Sequence, residues 1–214
     1  MLGEPRSNYE KMKDAMADAF LLHDQSAMIR KFGLEHDAAY LYLVFVNRPY
    51  RVDRRSGKVS WSQDGFWTAV AADYNAAMTI YDVLCCSKEN CHLSHEWVGV
   101  GNLSGIRGGT LEKGSNFFQD AGKYFSGRPD ALARACEALG GRRIERGDVA
   151  YTLALFPFLP ISLRFWDRDE EFPASLQLLA DRNTLDYMHY ETLMFALTHL
   201  LERLREEMGR NGTP

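Results

Sequence analysis

Cysteine is scarce in this chain, with four residues in a length of 214. Four thiols are too few for a disulfide framework, and a reducing cytosol would keep them free. None is needed as a staple, because a chain this long buries roughly 70% of its unfolded surface. Long apolar runs are missing too. Nothing approaches the roughly 18–20 residues of a membrane span, so no membrane partner is expected. The N-terminus lacks a basic start and an unbroken apolar stretch, since Glu4, Glu10, Asp14 and Asp18 interrupt it. These features point to a cytoplasmic protein. A basic excess is also absent. Formal net charge is −4 and the pI is near 5.9, so no nucleic-acid partner is expected. The local arginines (Arg51, Arg54, Arg55; Arg142, Arg143, Arg146) read as solvated turn charge. Internal repeats and low-complexity stretches are lacking.

What remains is ordinary globular material. Hydrophobic residues make up 46% and charged residues 25%, which suits one domain over 1–214. Ser7 is a natural N-cap, with Glu10 at capping-box spacing, for a first helix over 9–31 that stops at Gly33. Residues 39–46 are β-branched and aromatic and predict a strand. Short strands at 50–52 and 58–61 flank the turn Asp53-Arg-Arg-Ser-Gly57, with Pro49 at a strand start or edge. A second helix is expected over 65–85. From Trp97 to Ser115 six glycines predict a long irregular loop, after a very short strand at 97–100. A third helix over 116–139 has a break near Gly127-Arg-Pro129. Strands follow at 149–156 and 161–166, with a shorter one at 175–179. The closing helix spans 186–207, with its stripe at Leu193, Leu197, Leu200, Leu201 and Leu204. Strands in two blocks between helices argue for an α+β fold. It is an antiparallel or mixed sheet packed against three to four helices.

The C-terminal third is the most distinctive part. It carries Leu-Gly-Gly at 139–141, Gly147-Asp148, Leu-Phe-Pro-Phe-Leu-Pro at 155–160 and Phe165-Trp166. Asp169-Glu-Glu-Phe-Pro-Ala-Ser175 follows, then Asp181 ahead of Tyr187 and Glu191. This run closely resembles the prokaryotic family called domain of unknown function 3786. Asn47-Arg-Pro-Tyr-Arg-Val-Asp with Gly57-Lys-Val resembles the same family's N-terminal hairpin. The family carries no established activity to transfer residue by residue. The resemblance implies a protein of anaerobic bacteria or archaea, some members occurring with iron–sulfur modules.

Two constellations could carry chemistry. Cys85-Cys-Ser-Lys-Glu-Asn-Cys91-His92-Leu-Ser-His95 puts three thiols and two imidazoles into eleven residues. Thiolate and imidazole suit Zn²⁺, and thiolates suit iron–sulfur clusters. Neighbours on a helix point about 100° apart, so one of Cys85 and Cys86 would bind at most, and the candidate ligands are Cys86, Cys91, His92 and His95. The bland alternative is a small buried thiol among loop residues. The second constellation is the acidic turn at 167–171. Asp169, Glu171 and the later Asp181 could bind a hard cation or do acid/base work, and Arg107 with loop amides could hold an anion. Its alternative is a solvated turn whose carboxylates cap backbone. Gly99-Val-Gly101-Asn-Leu-Ser104 puts serine where a dinucleotide fingerprint wants its third glycine. Walker, nucleophile-elbow and His-Glu-x-x-His motifs are absent. His189 and His199 read as separate packing or surface histidines.

Three functions follow. The first is a cytoplasmic binding or accessory protein, metal-linked through the Cys/His cluster with zinc or an iron–sulfur cluster. The second is an enzyme whose site joins the acidic turn to the glycine-rich loop at 99–114. The third is an interaction module that takes no small ligand and forms a homodimer through an exposed helix face.

Overall fold

The structure is a computed structural model, and it describes residues 7–103 and 120–210. It is an α+β fold with antiparallel sheets and a long closing helix. The strands form two five-stranded sheets where the sequence predicted one. The chain divides into two compact units. One holds residues 1–91 with Asp186–Ala196, the other His92–Leu185 with Leu197–Pro214.

The first unit begins with α1 (Asn8–Leu21) and α2 (Gln25–Phe32). The single helix expected over 9–31 is broken at Leu22–Asp24. Asp24 turns its carboxylate back onto the amides of Ser26 and Ala27, capping α2 anew. Ser7 caps α1 through the Glu10 amide at 3.2 Å, and Gly33 ends α2 in the left-handed region, both as expected. The sheet then runs β1 (Glu35–His36), β2 (Tyr40–Phe45), β3 (Arg48–Asp53), β4 (Val59–Trp61) and β5 (Val70–Ala71), each paired with the next. Pro49 is the second residue of β3, just outside the β3–β4 ladder. The hairpin closing that ladder requires Gly57. Its φ is +69°, and an added Cβ would stand 2.3 Å from the Ala17 carbonyl oxygen.

The helix expected over 65–85 shrinks to α3 (Tyr74–Cys86). Residues 62–69 instead form a loop, because Ser62 and Asp64 bind the amides of Phe66 and Thr68 and bend the chain there. Asp73 caps α3 through the Ala76 amide at 2.8 Å. α3 is buried along most of its length and packs on α1. Phe20, Leu41, Tyr50, Ile80 and Tyr81 form this unit's core.

The second unit is a sheet in the order β6 (Trp97–Gly99), β10 (Ser175–Asp181), β9 (Leu159–Trp166), β8 (Val149–Phe156), β7 (Arg142–Arg143). β8 and β9 are joined by a two-residue turn at 157–158, so Leu159 and Pro160 belong to β9. Residues 120–125 are helical (α4), and α5 (Pro129–Ala138) starts at a proline in its first turn. The break between them falls at Gly127, φ +73°. Phe125 meets Phe165 edge-on at 6.2 Å, in a core with Leu132, Leu153, Ile161 and Leu163. The closing helix α6 (Tyr190–Arg210) gives its first residues to one unit and the rest to the other.

Candidate metal centre

α3 reads Tyr-Asn-Ala-Ala-Met-Thr-Ile-Tyr-Asp-Val-Leu-Cys-Cys, and Asp82 is its one charged residue. Asp82 is 7% exposed. A carboxylate in such a place needs partners, because desolvating it unpaired costs several kcal/mol. His189 supplies two. Its backbone amide donates to Oδ2 at 2.8 Å and its Nδ1 lies 2.7 Å from Oδ1. Cys86 stands one turn beyond Asp82 on the same helix face, its thiol within 4.8 Å of the same carboxylate.

The surroundings hold these groups in place. Lys31 covers the C-terminal end of α3, donating to the carbonyls of Ser87 and Lys88 at 3.0 and 2.6 Å and to the Ser87 hydroxyl at 2.7 Å. The segment carrying His189 is fastened upstream as well. The Lys88 amide donates to the Asp186 carbonyl at 2.8 Å, and the Lys88 ammonium reaches the Asp186 carboxylate at 2.6 Å. His189 then opens α6, its carbonyl accepting the Leu193 amide at 2.9 Å.

Asp82, Cys86 and His189 each offer one donor atom, and the three atoms lie within 4.8 Å of one another. Among the described residues this is the one such group of three. The carboxylate is buried, while Cys86 and His189 are exposed. Burial, helped by the neighbouring Asp82 carboxylate, pushes the Cys86 thiol up to about 11. Burial pushes Cys85 up to about 12, with Cys86 and Asp82 adding to it. A thiol held protonated beside a carboxylate is a poor nucleophile at neutral pH. A cation that replaces its proton meets carboxylate, thiolate and imidazole together.

Cys86 is therefore joined by two residues that lay outside the sequence-defined cluster. Cys91, His92 and His95 are not in the group. Cys91 follows the end of α3 in the first unit, its amide donating to the Lys88 carbonyl at 3.3 Å. His92 and His95 fall in the second unit. There the His92 carbonyl accepts from Asn183, and the His95 amide donates to Asp181 at 2.7 Å.

In the acidic turn, Asp169 accepts the amides of Glu171 and Phe172 at 2.8 and 2.7 Å, and these bonds hold its carboxyl below the usual range. Asp167 takes the Gly127 amide and the Ser126 hydroxyl. Asp181 is 3% exposed and binds the Ser94, His95 and Asn183 amides and the Ser94 hydroxyl. Glu171 is exposed. Arg107, with loop residues 104–114, lies outside the described residues.

A family model described as Domain of unknown function (DUF3786) matches residues 24–203. The chain belongs to that family. All three residues of the Asp/Cys/His group fall within the matched span. No curated protein and no solved structure matches the chain. No helix among the described residues is long and apolar enough to cross a membrane.

Proposed function

We propose that this protein binds a transition-metal ion through Asp82, Cys86 and His189, and serves as a metal-linked binding or accessory protein. The observation that carries the reading is the approach of one carboxylate, one thiol and one imidazole within 4.8 Å. A mixed O/S/N donor set suits Zn²⁺, which accepts all three at about 2.0–2.3 Å in a tetrahedron. Adjacent donors in such a site stand roughly 3.3–3.7 Å apart. The Asp82–His189 contact of 2.7 Å is thus a proton's spacing, and it widens when the ion takes the proton's place. Three protein ligands leave a fourth position for water or a small ligand. An iron–sulfur cluster asks for more thiolates than this group supplies. A reducing cytoplasm suits the reading, since Cys86 must be a free thiol before it can bind, and all four cysteines are free.

The test is metal binding to the untagged protein, purified without oxygen. Zn²⁺ is titrated in competition with a chromogenic chelator, and Co²⁺ is used as the spectroscopic probe. One equivalent should bind, with a thiolate-to-cobalt charge-transfer band in the near ultraviolet. Cys86→Ser should abolish the band, and His189→Ala should weaken binding roughly 10–100-fold while circular dichroism is unchanged. A band that survives Cys86→Ser and disappears in Cys91→Ser overturns this ligand set.

A further inference from the structure

The outer face of the first unit's sheet is aromatic, and it holds a guanidinium. Strand alternation puts Tyr40, Tyr42 and Val44 of β2 on this face. Their partners Asp53, Arg51 and Pro49 of β3 lie beside them, and Ser60 of β4 lies next to Arg51. The opposite face carries the buried Leu41, Phe45, Tyr50 and Val52. Arg51 lies 4.0 Å over the Tyr40 ring and 4.7 Å over the Phe66 ring, and its Nε donates to Ser60 Oγ at 3.3 Å. Phe66 also meets the Tyr42 ring at 5.8 Å. Among the described residues no carboxylate pairs with Arg51. A cation fixed between two rings, with its charge unanswered, is prepared to receive an anion at small entropic cost.

The loop from Ser62 to Thr68 adds a second feature. Ser62 is buried, and its hydroxyl donates to Asp64 at 2.6 Å while accepting the amides of Asp64 and Phe66. Asp64 accepts the Thr68 amide and hydroxyl. The backbone between them takes left-handed values at both Gly65 and Phe66, φ +70° and +68°. For a bulky residue that conformation costs about 1–2 kcal/mol. The result is a fixed loop that folds Phe66 down onto Arg51 and leaves Trp67 92% exposed. Val70, just beyond, is exposed as well. Tryptophan, tyrosine and arginine are the residues that dominate the energy of protein interfaces.

We propose that this face docks an acidic protein segment. A glutamate or aspartate of the partner pairs with Arg51, and an apolar or aromatic side chain beside it covers Trp67. The unpaired cation selects the acidic partner.

The experiment uses the full chain and a fluorescein-labelled random copolymer of glutamate and tyrosine, read by fluorescence anisotropy. Labelled oligo(dT) and a lysine–tyrosine copolymer run in parallel. Saturable micromolar binding of the acidic copolymer is expected, weakening as salt rises. Trp67→Ala should weaken it at least roughly tenfold, Trp67→Phe should restore most of it, and Arg51→Lys should act like Arg51→Gln because lysine lacks the planar stack. Trp67 is too exposed for its loss to unfold the chain, so that variant tests the proposal even if Arg51 variants prove unstable. Absence of saturable binding overturns the proposal, as does binding indifferent to Trp67→Ala. Preference for oligo(dT) overturns it in favour of single-stranded nucleic acid. A concentration-dependent dimer abolished by Trp67→Ala overturns it in favour of a second copy of the chain.

Discussion

His189 meets Asp82 twice, once through its backbone amide and once through its ring, so that both carboxylate oxygens are engaged 107 positions away in sequence. The ring contact is the one a metal ion would take over. The amide contact fixes the chain just before α6. Structure and chemistry are thus divided between the two oxygens of one side chain.

That division makes Asp82→Ala costly in the metal-free protein. It strips the acceptor from the His189 amide and from the ring. Loss of a buried, charged acceptor costs about 2–4 kcal/mol. His189→Ala keeps the amide contact and should cost about 1 kcal/mol or less, as its side chain is mostly exposed. Urea denaturation of the two variants checks the order. Equal losses would show that the ring contact, and not the amide, carries the stability.

Cys86 should behave as a sluggish thiol that a metal ion can mask. Burial and Asp82 push it to about 11, against an ordinary thiol near 9. At pH 8 its thiolate fraction is then roughly 100-fold smaller. Iodoacetamide modification of Cys86, followed by peptide mass spectrometry, should be correspondingly slow and rise about tenfold per pH unit up to about pH 11. Asp82→Asn removes the negative charge and should speed modification at pH 8. Zn²⁺ should block it in the parent protein and leave Cys91 modifiable.

The sequence showed part of this site and concealed the rest. Cys86 stood out because cysteines are few and three fall within seven residues. Asp82 had a signal that a motif search passes over, a lone charge in an otherwise uncharged helix, four residues before that cysteine. His189 had none, since no local pattern foretells which distant residue answers a buried carboxylate. The fold was legible in a similar proportion. Strands at 149–156 and 40–45 follow β-branched and aromatic runs closely. Two helices were read too long for the same reason. At Asp24, inside the first expected helix, and at Ser62–Asp64, just before the second, a side chain captures backbone amides, and that local competition overrides the apolar periodicity of the residues that follow.

Asp181 should set part of the acid limit of stability. Burial pushes its carboxyl up, but the Ser94 and Asn183 amides, the Ser94 hydroxyl and the His95 amide outweigh burial and hold it below its ordinary value of 3.8. A group depressed in the folded state contributes stability fully above its unfolded value. That contribution is lost as pH falls from near 4 through the lower folded value. Asp181→Asn should therefore cost about 2 kcal/mol at pH 7 and flatten the fall in stability below pH 4. Urea midpoints between pH 7 and pH 2 provide the check. An unchanged acid limb in the variant would place the titrating group elsewhere.

The two compact units should unfold as one. The chain passes from one to the other three times, between residues 91 and 92, 185 and 186, and 196 and 197. Neither unit is a continuous segment, and the last passage lies inside α6, where Ala196 and Leu197 are consecutive helical residues. An unbroken helix resists melting over half its length, because each new helix–coil boundary forfeits the cooperativity of the turns beside it. Each unit has its own tryptophans, Trp61 and Trp67 in the first and Trp97 and Trp166 in the second. Single-unit tryptophan variants, such as Trp61→Phe with Trp67→Phe, should give the same thermal midpoint by fluorescence as by circular dichroism. A proline at position 196 removes an interior helical hydrogen bond at a cost of about 3 kcal/mol. Ala196→Pro should lower both midpoints together if the units form one cooperative structure. Separate transitions in the parent chain, with only one displaced by the proline, would make them independent domains.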